Sequence, residues 1–286
     1  VYIRSYGLNL NLPAQPVLTS SFSALTDKKT VILTGTKEAN TAVLVNGAVL
    51  VERNNQTTWT ATLHLTLEGK NTFEIQTENS LQKISSALAV TLTRDTTGPI
   101  GRFSFNQKAV LFTASNQVSL KLSAADSLSA VSKVSLSGDC TNWSQPETYA
   151  SVKTVTLPGG DGVKSVCVRF YDAVGNVSEV YSKSITLDQT GPQGGFKVNS
   201  ITPYTRSTKV SLNLAMTDSL SGIGTMSFSF DGITWTKPKT YQPLQLLRLP
   251  RGSGAKKIYA KFFDKAGNTS GILSQSIVLD EIPPTG

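Results

Sequence analysis

The chain has 286 residues and a formal net charge of +8, a length that suggests about two domains. Its basic residues are dispersed, the densest points being Asp27-Lys28-Lys29 and Lys256-Lys257, which lacks the focused footprint of a nucleic-acid binder. No run approaches the ~18 apolar residues of a membrane span, and one histidine (His64) with two cysteines outside any CxxC spacing excludes a structural zinc site.

Residues 1–13 read as an extended lead-in or the end of a preceding domain. The first domain is expected over 14–95. Thr30 to Gly35 reads as a strand ending in a turn glycine, and Ala42 to Val45 as a strand followed by Asn46-Gly47, a strong hairpin signal. Trp59 to Leu67 alternates strictly, putting Trp59, Ala61, Leu63, Leu65 and Leu67 on one face and His64 on the solvent face. A turn at Glu68 to Asn71 leads into further strands at Thr72 to Thr77 and Leu88 to Thr93. No segment carries a helical apolar period.

Asp95-Thr-Thr-Gly-Pro99 marks the first boundary, and recurs as Asp188-Gln-Thr-Gly-Pro192 and, altered, as Asp280-Glu-Ile-Pro-Pro284. Proline cannot donate to a sheet ladder and fixes its own φ, so these read as short, stiff joints. Two further domains follow, over 96–189 and 190–286, and they are copies. Val118-Ser-Leu-Lys-Leu122 matches Val210-Ser-Leu-Asn-Leu214, Asp126-Ser-Leu-Ser129 matches Asp218-Ser-Leu-Ser221, and Tyr171-Asp-Ala-Val-Gly-Asn-Val-Ser178 returns 92 residues later as Phe263-Asp-Lys-Ala-Gly-Asn-Thr-Ser270. About seven short strands per repeat, with turn residues every eight to twelve positions, predict antiparallel β-sandwiches. The chain begins with Val and stops at a boundary motif, which reads as a piece of something longer.

Asp-x-x-Gly-Asn-x-Ser before the last strand, the Asp-x-x-x-Pro boundary and Asp-x-x-x-Trp in mid-repeat resemble the tandem bacterial immunoglobulin-like domains of large secreted and cell-surface proteins. The likeness covers 96–286 well. Residues 14–95 look like another variant, in which Glu78 to Ser85 replaces the Asp-x-x-Gly-Asn stretch. The resemblance implies an all-β fold of three tandem sandwiches and a non-catalytic stalk or spacer, adhesin-like and extracellular or cell-surface. Its partners would be the other domains of the same longer chain. The alternatives are a module binding a cell-surface glycan, protein or anionic surface, and an accessory region of a polysaccharide-active enzyme.

Three constellations stand out. Asp172 with Asn176, and Asp264 with Asn268, fit turn chemistry, in which the side chains cap backbone N–H groups and Gly175 and Gly267 supply positive φ. The other reading is a calcium site completed by Asp126 or Asp188 in one repeat and by Asp218 or Asp280 in the next, calcium being the one cofactor these residue types suit. Trp143 with Tyr149, and Trp235 with Tyr241, read either as core covers or as sugar-stacking platforms. Cys140 sits in a turn, and Cys167 points off the core by alternation. A disulfide would tie that turn to its neighbouring strand and fit an exported protein, free thiols being the alternative. Nucleophile elbows, phosphate loops and zinc-protease motifs are absent from the sequence, so no enzyme activity is expected.

Overall fold

The computed structural model describes residues 11–106, 111–199 and 202–282. Most of the lead-in and the Pro283-Pro284 end of the third boundary motif lie outside them.

The first repeat forms β1 (Val17–Leu18), β2 (Leu25–Thr26), β3 (Thr30–Thr36), β4 (Thr41–Val45), β5 (Ala48–Asn54), β6 (Thr58–His64), β7 (Gly69–Glu78) and β8 (Leu88–Arg94). The second forms β9 (Ile100–Phe105), β10 (Phe112–Thr113), β11 (Gln117–Ala125), β12 (Val131–Ser137), β13 (Glu147–Thr148), β14 (Val152–Thr156), β15 (Gly162–Asp172) and β16 (Tyr181–Leu187). The third forms β17 (Gln193–Val198), β18 (Tyr204–Thr205), β19 (Lys209–Thr217), β20 (Ile223–Ser229), β21 (Lys239–Thr240), β22 (Leu244–Arg248), β23 (Gly254–Asp264) and β24 (Leu273–Leu279).

Each repeat pairs a three-stranded with a five-stranded sheet, and the order is the same every time. The first has β1-β3-β6 over β2-β8-β7-β4-β5, and the second has β9-β11-β14 over β10-β16-β15-β12-β13. In the third, β17-β19-β22 lies over β18-β24-β23-β20-β21. The chain enters on one sheet and crosses to the other, where a two-residue strand pairs in parallel with the last strand of its repeat. This is a tandem of three immunoglobulin-like sandwiches, and the first repeat shares the topology despite lacking the Asp-x-x-Gly-Asn stretch.

Period-2 burial builds the cores. In β6, Trp59, Ala61 and Leu63 are buried while Thr60, Thr62 and His64 face solvent. Three separate apolar clusters result, around Leu33 and Ile75, around Leu120 and Phe170, and around Leu212 and Phe262. Burying one such aliphatic or aromatic side chain is worth about 1.5–3 kcal/mol. Asn46 and Gly47 both take positive φ (52° and 82°), the hairpin geometry that the pair predicts. Two expectations need correction. Leu67 is exposed, because the strand ends at His64 and the alternation is no longer enforced by a ladder. Gly35 is not a turn residue: it lies within β3 opposite Trp59, where a Cβ would meet the indole at 2.6 Å.

Candidate metal centre at the joints between repeats

The Asp-x-x-Gly-Asn-x-Ser stretch closes the end of β15, and each of its residues has a distinct task. Asp172 Oδ1 accepts from the backbone N–H groups of Val174, Gly175 and Asn176 at 3.0, 2.6 and 2.8 Å. Gly175 takes φ +100°. Ser178 Oγ accepts from the N–H of Phe170 at 2.9 Å. Asn176 Nδ2 donates both to Asp172 Oδ2 at 2.7 Å and to the backbone carbonyl of Asp95 at 2.9 Å, reaching out of its own sandwich to the last residue before the boundary. The same pattern recurs one repeat on, where Asn268 Nδ2 donates to Asp264 Oδ2 and to the carbonyl of Asp188, both at 2.7 Å.

The turn is therefore an interdomain clamp as well as a cap. It also accounts for the glycine of each boundary motif: a Cβ on Gly98 would lie 2.2 Å from the carbonyl oxygen of Val177, and one on Gly191 would lie 2.3 Å from that of Thr269. The linker is braced from its other side. Glu68 accepts from Thr96 N–H at 2.7 Å and from its hydroxyl at 3.0 Å, and Asp161 accepts from Gln189 N–H and the Thr190 hydroxyl at 2.8 and 2.7 Å. Those bonds, the Thr190 hydroxyl foremost, hold the Asp161 carboxyl below its ordinary pKa.

Closing the joint brings three carboxylates together. Oxygens of Asp95, Asp126 and Asp172 all lie within 4.8 Å of one another, as do those of Asp188, Asp218 and Asp264. The sequence pointed to Asp126, Asp172 and Asn176, and to their copies Asp218, Asp264 and Asn268. It placed Asp188 and Asp280 with the wrong partners. Because β15 and β16 run antiparallel with Gly162 opposite Leu187, Asp188 leaves the sandwich at the end remote from Asp172 and joins the group of the following repeat. Asp280 leaves the third sandwich in the same way, is exposed and accepts from Ile282 N–H. Asp95 was missed, although it opens the same boundary motif as Asp188.

The first group has an unmet need. Asp95 is fully buried, and its Oδ1 accepts from Thr97 N–H and hydroxyl at 3.2 Å, whereas its Oδ2 has no hydrogen-bond partner. The nearby Ser129 Oγ is buried without a partner as well. Asp126 Oδ1 accepts from the N–H groups of Leu128 and Ser129, both at 2.9 Å. In the second group the corresponding serine is used differently: Ser221 N–H donates to Asp188 Oδ2 at 3.0 Å and satisfies it. Among the described residues, the first repeat carries no such group. The residue after β3, where Asp126 follows β11, is Lys37, a buried lysine. Its ammonium donates to the carbonyls of Thr41 and Gln56 at 2.9 and 2.8 Å and more distantly to those of Asn54 and Glu38, and burial lowers its pKa.

The two members of each aromatic pair lie on different faces of the sheet. Tyr149 packs edge-on against Phe170 on the core side, and Tyr241 does the same against Phe262. Trp143 and Trp235 are half-buried on the opposite face of the five-stranded sheet, with Arg169 stacked at 4.4 Å and Lys261 at 4.3 Å over their rings. Cys140 and Cys167 form a disulfide between Cα atoms 5.0 Å apart. Cys167 does point off the core, yet it is only 2% exposed, because the bonded turn covers it.

No protein-family profile and no curated protein matches the chain. Solved structures do. The fibronectin(III)-like modules of Clostridium thermocellum CbhA align at 14% identity and a TM-score of 0.41, covering 62% of this chain and 93% of theirs. The FN1–FN3 domains of chicken CNTN1 align at 10% identity and 0.38, covering 94% and 99%. A tetra-tandem repeat from the extending region of a large adhesion protein aligns at 14% and 0.33, covering 95% and 74%. At such identities the likeness is one of fold.

Proposed function

We propose that this chain is a non-catalytic spacer in a secreted or cell-surface protein, adhesin-like in organisation, and that a divalent cation sets its first joint. The observation that carries the reading is Asp95 Oδ2, a buried and unpartnered carboxylate oxygen in a group of three carboxylates drawn from both sides of a domain boundary. Such an oxygen costs about 1–3 kcal/mol or more if nothing satisfies it, and crowding three negative charges adds repulsion. A cation removes both penalties.

The donor set selects the ion. All ligands are oxygens, which suits a hard cation and not zinc or copper. Oxygens sharing one calcium at about 2.3–2.6 Å can lie at most about 5 Å apart, which is the span of this group. Asp95, Asp126 and Asp172 would hold the ion, and its charge would tie the end of the first sandwich to two loops of the second. Lys37 supports the logic: at the same place in the strand order, the first repeat buries a fixed positive charge. The clamps, the close-packed boundary glycines and the bracing acids favour a spacer of restricted bending. The disulfide fits an oxidising compartment.

Calorimetric titration of the full chain with calcium chloride, after chelation, tests the reading. Binding is expected to weaken at least about tenfold in Asp95→Asn, the loss of one charged ligand, and to be unchanged in Asp280→Asn. Absence of binding at millimolar calcium, or equal binding by Asp95→Asn, would overturn it.

A further inference from the structure

A groove of about 690 Å³ runs along the second sandwich between the edge strand β9 and the last strand β16. Three cations, Arg102, Lys121 and Lys183, share it with the hydroxyls of Ser104, Ser123 and Ser182, and no carboxylate is among its described lining residues. Register explains the convergence. Ser123 lies opposite Arg102 and Lys121 opposite Ser104, so these four side chains stand together on the outer face of the three-stranded sheet. Lys183 comes from the other sheet, with its ammonium 5.9 Å from the ring centre of Phe103. All three cations are exposed, and among the described residues none is in an ion pair.

The third repeat shows that the fold does not need them. Its cross-strand pairs put Gly195 opposite Ala215 and Lys197 opposite Asn213, where the second repeat has Arg102 opposite Ser123 and Ser104 opposite Lys121. Gln275 stands in the place of Lys183. One lysine is left where the second repeat has three cations, while the core beneath is kept, Phe196 for Phe103 and Leu214 for Leu122. Cations added to one copy, unpaired and gathered in a concavity of ligand size, point away from folding and toward recognition.

We propose that this groove binds an acidic oligosaccharide, a chain of hydroxylated rings bearing carboxylate or sulfate groups. Spaced cations match isolated anions along such a chain, and the three serines can exchange hydrogen bonds with its hydroxyls. Val180, about half exposed, and the half-buried Tyr181 offer apolar surface for ring C–H faces. A single-stranded nucleic acid would need open aromatic platforms, but Phe103 is buried and the Tyr181 hydroxyl is committed to the N–H of Gly101 at 2.9 Å. The site is independent of the joint and works whether or not a cation binds there.

The test takes the full chain and measures binding of a heparin-derived sulfated hexasaccharide and of a uronic-acid oligosaccharide at physiological salt. A neutral oligosaccharide and anionic phosphatidylserine vesicles serve as comparisons. The variant carries Arg102→Gly, Lys121→Asn and Lys183→Gln together, the residues that the third repeat already tolerates. It is compared with Lys256→Ala, Lys257→Ala, Lys265→Ala, which removes equal charge elsewhere. At least one acidic sugar is expected to bind and to lose about tenfold or more in the groove variant alone, as fits the loss of charge-assisted contacts. If the glycine lowers thermal stability, Lys121→Asn with Lys183→Gln carries the same test. Equal losses in both charge variants, no binding of either acidic sugar, or groove-dependent binding of the vesicles only would overturn the proposal.

Discussion

At the scale of single residues, the Asp-x-x-Gly-Asn-x-Ser stretch was legible as a turn, because Asp, Gly, Asn and Ser each solve a local backbone problem. Its second task was not legible, since the partner of Asn176 is a carbonyl 81 residues away. The boundary glycines belong here too. Gly98→Ala forces a Cβ against a carbonyl that cannot yield cheaply, and overpacking of this kind costs about 1–3 kcal/mol. Calorimetric unfolding should show the second repeat destabilised and calcium binding weakened together. A separate effect follows from Asp231, which the Ile233 N–H above all, then the Ser229 hydroxyl and Thr234 N–H, hold well below the usual carboxylate range. A depressed folded-state pKa stabilises fully above about pH 4 and is lost as pH falls through the folded value. In urea titrations, Asp231→Asn should therefore lower stability near neutrality and lessen the further loss on acidification.

At the scale of elements, β15 and β23 show how one strand serves two surfaces. Their inward residues, Val166, Val168 and Phe170 against Ile258, Ala260 and Phe262, repeat as apolar positions and were readable by alternation. Their outward residues diverge, because the outer face need only be covered. In one repeat Cys167 bonds to Cys140; in the other the Tyr259 ring lies 3.4 Å from where a Cβ on Gly232 would be. With Gly232 and Tyr259 at the positions of Cys140 and Cys167, the disulfide is specific to the second repeat. Cysteines 27 residues apart in sequence close a loop whose restriction is worth about 3.5 kcal/mol. Reduction, or Cys140→Ser with Cys167→Ser, should lower the melting temperature of the second repeat by more than about 10 °C. The transition of the third repeat should not move, and scanning calorimetry of the whole chain reads both at once.

At the scale of the whole molecule, the two joints are built alike and finished differently. Both carry three carboxylates, an asparagine clamp and a close-packed glycine. The second joint satisfies Asp188 Oδ2 with the Ser221 N–H, whereas the first leaves Asp95 Oδ2 bare. The first joint should therefore depend on a cation, and the second should hold its geometry without one. Spin labels placed across each boundary and read by distance spectroscopy check this. Chelation should broaden the distribution across the first joint several-fold more than across the second, and Asp95→Asn should reproduce the broadened state in the presence of calcium.

The sequence by itself determined the all-β class, the repeat, and the core faces and turns apart from those of Leu67 and Gly35. These follow from period-2 patterning and local turn chemistry, which act over a few residues and leave their mark in order along the chain. Only the tertiary structure decided which carboxylates meet, which face Trp143 and Trp235 take and where three cations gather. Those pairings depend on which end of a sandwich each strand leaves and on how one sandwich abuts the next. Asp188 illustrates the division: its motif was visible in the sequence, but antiparallel pairing of β15 with β16 carried it away from Asp172 and into the group of the repeat that follows.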